Sequence, residues 1–364
     1  MGMRLRRVFL LAAVTALLLA PVRPAGAAAQ IVVPLQQPTI QAAVNAARAG
    51  DTIVVRSGVF TEQVTIGKDL TITGAGAAST TIQAPAVLAP RVIGPLPGRA
   101  NVVEVYGGAR VTMQSIGVSG PAGDDCPGLT GVSVQDGATL RLQSASIRGC
   151  TVIGLFVGYP SDIPVGPEVG HAIVSAIEVT GALAYGIRAG GPGTTVSVTG
   201  STVVMPPVAE FGGFGIAVFE GQGVFRGNTV RGAICTTCGD NFITENFGVG
   251  VVAFDAAPGT VISQNTMSGN DVGLIVGASS GCCQLTQNTL KDNRFYGLVV
   301  FDADETLSQS TITGGLVGAA AISFDSPTTL TLDRVVISGA TTPVQAVSCC
   351  GQPANVVQRS VIIR

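Results

Sequence analysis

Gly108-Ala-Arg-Val-Thr-Met-Gln-Ser-Ile-Gly-Val-Ser-Gly120 and Gly137-Ala-Thr-Leu-Arg-Leu-Gln-Ser-Ala-Ser-Ile-Arg-Gly149 align without a gap, 29 residues apart. Each opens on a glycine, runs through alternating apolar residues and closes on a second short alternating run. A fixed internal repeat of this length decides architecture before any single element does. A glycine ahead of alternating apolar residues recurs at Gly131, Gly154, Gly186, Gly215, Gly250, Gly273 and Gly297, and Ala320 and Val344 extend the series. Longer steps in the middle read as loops inserted on one frame. Within a unit the apolar runs are short, as in Leu298-Val299-Val300, Thr306-Leu307-Ser308 and Thr311-Ile312-Thr313. They lack the regular Asn-Gly turns of hairpins. Stacking unit on unit gives every strand a parallel partner and buries a shared apolar column. The expected fold is all-β: a single-stranded right-handed parallel β-helix. It would have about eleven or twelve coils at roughly 4.8 Å each, a rod of ~55 Å.

Composition agrees. The 364 residues are 46% hydrophobic and 12% charged, with 49 glycines and no tryptophan. That excludes disorder, and abundant Gly with Val, Thr and Ile suits many short strands and tight turns. Residues 1–29 stand apart as a signal peptide. Arg4, Arg6 and Arg7 precede the apolar run Val8 to Ala20, and Ala25-Gly26-Ala27 and Ala27-Ala28-Ala29 both fit small-residue cleavage sites. Arg6-Arg7-Val8-Phe9-Leu10 also resembles a twin-arginine export motif, so the general and twin-arginine routes both stay open. No second long apolar run follows, so no membrane insertion is expected. The expected location of residues 30–364, one solenoid domain, is secreted or cell surface. Removing Arg4, Arg6, Arg7 and Arg23 with the signal leaves 16 basic against 22 acidic residues, net about −6. That balance speaks against nucleic acid as partner. Oligomeric state is not legible.

Two rows follow from stacking. Asn228, Asn265 and Asn288 share the context Gly-Asn-Thr, Gln-Asn-Thr, Gln-Asn-Thr. Asn tolerates the left-handed backbone of a sharp bend, and its amide can bond the copy above, so these read as a structural ladder. Four positions beyond the anchors stand Phe219-Glu220, Phe254-Asp255, Phe301-Asp302 and Phe324-Asp325, with Gly277-Ala278 in the coil between. One meaning is a sugar-binding track, with rings for pyranose faces and carboxylates for hydroxyls or Ca²⁺. The other is a phenylalanine stack packing a turn beside solvated acids.

Thr39 to Ile66, followed by Gly67, Lys68, Leu70 and Gly74, resembles the start of many pectin-lyase-like β-helix proteins. Gly58-Val59-Phe60-Thr61-Glu62 resembles the first motif of the pectin methylesterases among them. Pro38 sits at a helix start, Ile40, Ala43, Val44 and Ala47 form an apolar stripe, and Gly50 ends it. This short helix, 38–50, would cap the open end of the solenoid. The resemblance implies a polysaccharide partner. The later methylesterase motifs are missing, and so is the Arg-Pro motif of pectate lyases. Gly123-Asp124-Asp125-Cys126 resembles a polygalacturonase segment and Gly170-His171-Ala172 partly echoes a second. Their flanking residues are absent. Asp124, Asp125 and His171 are therefore the catalytic candidates. An enzyme here would be a polysaccharide lyase or glycoside hydrolase, and pectin methylesterase activity is not expected. The competing class is a non-catalytic structural or adhesive surface protein.

His171 is the single histidine and cannot build a multi-histidine metal site, so no metal ligands are assigned. Eight cysteines in an exported chain suggest disulfides. Cys126 and Cys150 would meet in neighbouring coils. The pairing of Cys235, Cys238, Cys282, Cys283, Cys349 and Cys350 stays open.

Overall fold

The computed structural model describes residues 28–89, 100–121, 129–149, 151–159, 169–209, 212–239, 246–279 and 281–364. Residues 1–27, most of the expected signal, lie outside them. The described chain winds into three long sheets of 13, 12 and 11 strands, every pairing parallel. Each coil adds one strand to each sheet in turn. Thr195–Thr199 joins the first, Thr202–Val204 the second and Phe214–Phe219 the third. The next coil lays Gln222–Arg226, Thr229–Arg231 and Val249–Phe254 directly upon them. The opening alignment is the true register: Arg110 pairs with Thr139 and Gly117 with Ser146.

Inward residues of the three sheets meet in one continuous apolar core, with Val230, Met267, Leu290, Ile312 and Ile337 stacked as one of its columns. The glycine anchors sit where the second and third sheets come closest. A Cβ on Gly250 would lie 2.6 Å from the carbonyl oxygen of Gly273, and one on Gly273 would lie 2.7 Å from that of Gly297. The anchors are thus required by close approach of backbone to backbone, not by a left-handed φ. The series continues at Gly318 and Pro343, not at Ala320 and Val344. Ala319 and Ala321 face inward on Leu298 and Val300, and this packing fixes the shorter step.

The left-handed bend between first and second sheets falls one residue before each ladder asparagine. Gly227, Gln264 and Gln287 hold φ of 63°, 58° and 57°. The asparagines are buried and bond one another, Asn228 Nδ2 to Asn265 Oδ1 at 2.9 Å and Asn265 Nδ2 to Asn288 Oδ1 at 3.2 Å. A second ladder, Asn270 on Asn293 at 3.1 Å, runs parallel to it between the second and third sheets.

The capping helix is Ile40–Ala46, shorter than its sequence pattern, and buries Ile40, Ala43 and Val44. Gly50, at φ 89°, serves the turn into Thr52–Val55. The front motif holds both helix ends. Glu62 accepts from Ile40 N at 2.9 Å and Gln41 N at 2.8 Å, while Lys68 Nζ donates to Val44 O at 3.0 Å and Ala47 O at 2.9 Å. Such charge-assisted caps satisfy the orphan groups of a short helix. Glu62→Ala is expected to lower stability by about 1–2 kcal/mol in chemical denaturation. An unchanged midpoint would mean the apolar stripe alone holds the helix.

Candidate functional site

The third sheet turns Ala217, Val252, Ile275 and Val299 outward in one register column. These residues belong to a second apolar cluster, on the opposite face of the sheet from the core. The column is buried, covered by aromatic side chains of the chain itself, Phe219, Phe247, Phe295 and Phe301 among them. Phe219, Phe254 and Phe301 edge it. Their rings stack as the sequence row requires, at 6.4 Å from Phe219 to Phe254 and 5.8 Å from Phe254 to Phe301. The intervening coil carries Gly277, and the Phe301 ring covers the space a side chain there would occupy. Phe324 reaches the row differently. Ile322, not Phe324, pairs with Phe301, and Phe324 lies two residues farther on with its ring 6.1 Å from Phe301.

The Phe219, Phe254 and Phe301 rings, without Phe324, form one wall of an open cleft of about 250 Å³, and Phe214 and Phe247 also line it. Val249, Val252 and Ile275 are its floor, and Asn246 is the one polar lining residue. Phe247 comes from the long insertion after Thr229–Arg231. Asp271 and Arg294 tie that insertion down. Asp271, fully buried, accepts from Cys235 N at 2.6 Å and Gly248 N at 3.0 Å. Arg294 lies 3.4 Å from the other oxygen of Asp271 and donates to Cys235 O and Cys238 O at 3.1 and 2.8 Å. Burial pushes the Asp271 carboxyl up, against the pull of those N–H groups and Arg294. Cys235 and Cys238 are bonded to each other, closing the small loop the guanidinium grips.

The acids of the row occupy a left-handed turn, with φ of 59° at Glu220, 48° at Asp255 and 47° at Asp302. The Asp302 carboxylate accepts from Phe324 N, Asp325 N and Ser326 N at 2.7, 3.1 and 3.1 Å, so it organises the next turn. Asp255 and Asp325 are exposed. One coil before Phe219, the Arg188 guanidinium lies 5.3 Å from the Phe156 ring, 5.1 Å from Tyr185 and 5.3 Å from Phe219. Farther toward the N-terminal end the same face turns polar, with Asn101, Glu104, Ser133 and Gln135 all buried. Sequence reasoning missed Arg188 and these four. Aligning Glu104, Ser133, Phe156, Arg188 and Ala217 as one outward column would have found three of them, Glu104, Ser133 and Arg188.

His171 belongs elsewhere. It opens a strand of the first sheet, and its Nδ1 lies 2.8 Å from Thr195 Oγ1 one coil on. Asp124, Asp125, Cys126 and Cys150 lie outside the described residues. Cys282 and Cys283 form a disulfide between neighbours, and Cys349 and Cys350 are free thiols. Among the described residues Cys282, Cys283 and Glu305 bring potential ligand atoms within 4.8 Å of one another, but two bonded sulfurs offer no thiolate.

Glu305 itself is a pH-sensitive part of the rod. It is 4% exposed, and burial pushes its carboxyl up to about 7 although Cys282 N donates to it at 3.0 Å. A raised carboxyl pKa means that the folded chain keeps a proton the unfolded chain loses. Stability from this group is full below the unfolded value and is lost as pH rises toward 7. Between pH 5 and 8 the expected loss is about 2 kcal/mol. Glu305→Gln should flatten that part of the pH profile, read as denaturation midpoint against pH. An unflattened profile would place the titration elsewhere.

A family model described as a right handed beta helix region matches residues 168–335. No curated protein matches the chain. Among solved structures, the catalytic domain of Agl-KA superposes at TM-score 0.58 with 14% identity, over 94% of this chain and 68% of that one. The chain folds as a right-handed parallel β-helix. The lacto-N-biosidase of Eubacterium ramulus superposes on this β-helix at TM-score 0.59 with 15% identity, over 87% of this chain and 62% of that one. A mannuronic acid specific polysaccharide family 6 lyase from human gut microbiota gives 0.54 with 11% identity, over 87% and 83%. Identities this low carry the winding of the β-helix and no site residue.

Proposed function

We propose that this β-helix is exported and binds an extracellular polysaccharide along the outer face of its third sheet. The observation that carries the reading is the row Phe219, Phe254 and Phe301, whose ring centroids follow one another at 6.4 and 5.8 Å along a cleft, the last step spanning the Gly277 coil. Rings following one another at 6.4 and 5.8 Å suit a repeating ligand laid along the rod. Aromatic rings supply flat apolar surface for sugar C–H faces. The superposed lacto-N-biosidase and the mannuronic acid specific lyase are proteins named for glycans, which supports the same class of ligand. Processing of the bound glycan, by lyase or hydrolase chemistry, extends this reading. The competing non-catalytic role is favoured by the placement of His171 on another sheet and by the structural use of Asp302.

The test is incubation of the mature protein with a polysaccharide panel, with and without Ca²⁺, the cation the turn carboxylates would take. Affinity gels report binding, new reducing ends report hydrolysis, and unsaturated products report lyase action. Retardation by at least one glycan is expected, weakened several-fold in Phe254→Ala. Absence of both retardation and product would contradict the proposal.

A further inference from the structure

We infer that the cleft prefers glycans bearing free amines over neutral chains and polyuronates. This deepens the polysaccharide reading and rests on it. Ordinary sugar sites combine ring faces with several convergent polar groups. Here the lining is apolar except for Asn246, and none of the lining residues is basic. The turn that follows the Phe strands is acidic. Glu220 N donates to Phe254 O, Asp255 N to Gly277 O, Ala278 N to Phe301 O and Asp302 N to Ile322 O, so the three acids stand in one backbone column beside the Phe row, with Ala278 between Asp255 and Asp302. Aromatic faces beside carboxylates attract organic cations, because the ring quadrupole and the anions act in the same direction. The same acids repel a polyuronate.

The molecule carries its own precedent. Arg188 is held by Phe156, Tyr185 and Phe219, so the first ring of the row already receives a cation from the chain. In the following coils the position of Arg188 is taken by Ala217, Val252, Ile275 and Val299. No guanidinium occupies that column beside Phe254, which is 39% exposed, and the next residue, Asp255, is exposed too. A cationic substituent of a ligand would there meet the chemistry that Arg188 meets one ring earlier.

The experiment is calorimetric titration of the mature protein with hexamers of glucosamine, N-acetylglucosamine and galacturonate. Acetylation removes the charge and keeps the sugar ring. The glucosamine hexamer is expected to bind about tenfold tighter than its acetylated form, with affinity falling as salt rises through ~0.1 M. Phe254→Leu should weaken it about three- to fivefold, the range for one exposed cation–π contact. Asp255→Asn should shrink the preference, while Glu178→Gln, an equal charge change on the second sheet, should leave it. Equal loss in both charge variants would reveal unspecific attraction and overturn the inference. Tighter binding of the acetylated or uronate hexamer would overturn it too, yet leave polysaccharide binding standing. Silence with all three hexamers also overturns it, and the wider panel then decides the parent reading.

Discussion

Asn265→Ala should lower the stability of the rod by about 4 kcal/mol, the largest single effect expected of any side chain named above. The Asn265 amide is 1% exposed and fully used. Its Nδ2 donates to Phe225 O at 2.9 Å and to Asn288 Oδ1 at 3.2 Å, and its Oδ1 accepts from Asn228 N at 3.0 Å and Asn228 Nδ2 at 2.9 Å. Truncation leaves buried backbone groups of Phe225 and Asn228 without these partners, at about 1–3 kcal/mol each. Serine should recover part of the loss. Ser310 already ends the ladder, its hydroxyl accepting from Asn288 N at 3.0 Å. Chemical denaturation of the three proteins checks the order. An alanine variant as stable as the parent would show that the ladder is a by-product of stacking.

The second large effect is Gly250→Ala, expected at 3 kcal/mol or somewhat above by overpacking of a rigid site. The new methyl would stand 2.6 Å from the Gly273 carbonyl oxygen and 2.9 Å from Asn270 Nδ2. The first is backbone of the adjoining coil and the second belongs to the Asn270–Asn293 ladder, so neither can withdraw alone. Gly227→Ala is the natural control. Gly227 has φ 63° and nothing within 4 Å of an added Cβ, so only the left-handed strain of about 1–2 kcal/mol applies. Neighbouring coils support one another in a solenoid, so the midpoints of the two variants are compared directly. Equal midpoints would deny that the glycine column is there for coil-to-coil contact.

Much of the fold was legible because coil-to-coil pairing turns sequence period into spatial register. The alignment of Gly108 with Gly137 and the spacing of Asn228, Asn265 and Asn288 need no more than that. Past Gly297 the sequence spacing aligns Phe324 with Phe301, where the structure pairs Ile322. Two aromatic–acid pairs look equivalent in sequence, whereas the register is set inside, by Ala319 and Ala321 against Leu298 and Val300. Asparagine tolerates a left-handed bend well, so the sequence alone assigns the bend to Asn228, Asn265 and Asn288. The structure gives that bend to the glutamine or glycine before each, which frees the amide to turn inward. The site was half legible. Phe219, Phe254 and Phe301 announce themselves by periodicity, and the structure brings them together. Arg188 and the Asp271–Arg294 clamp do not repeat, and their meaning depends on rings and carbonyls supplied by other coils.

The central claim, that glycan is bound on the outer face of the third sheet, can be read from one residue. The chain contains no tryptophan, so Phe254→Trp places a single reporter ring in the cleft. Ile173→Trp, at an exposed position on the first sheet, is its remote counterpart. Titration with a glycan that retards the parent protein should change the emission at position 254 saturably and leave that at position 173 unchanged. A silent position 254 in a variant that still binds would contradict the account and put the ligand elsewhere on the rod.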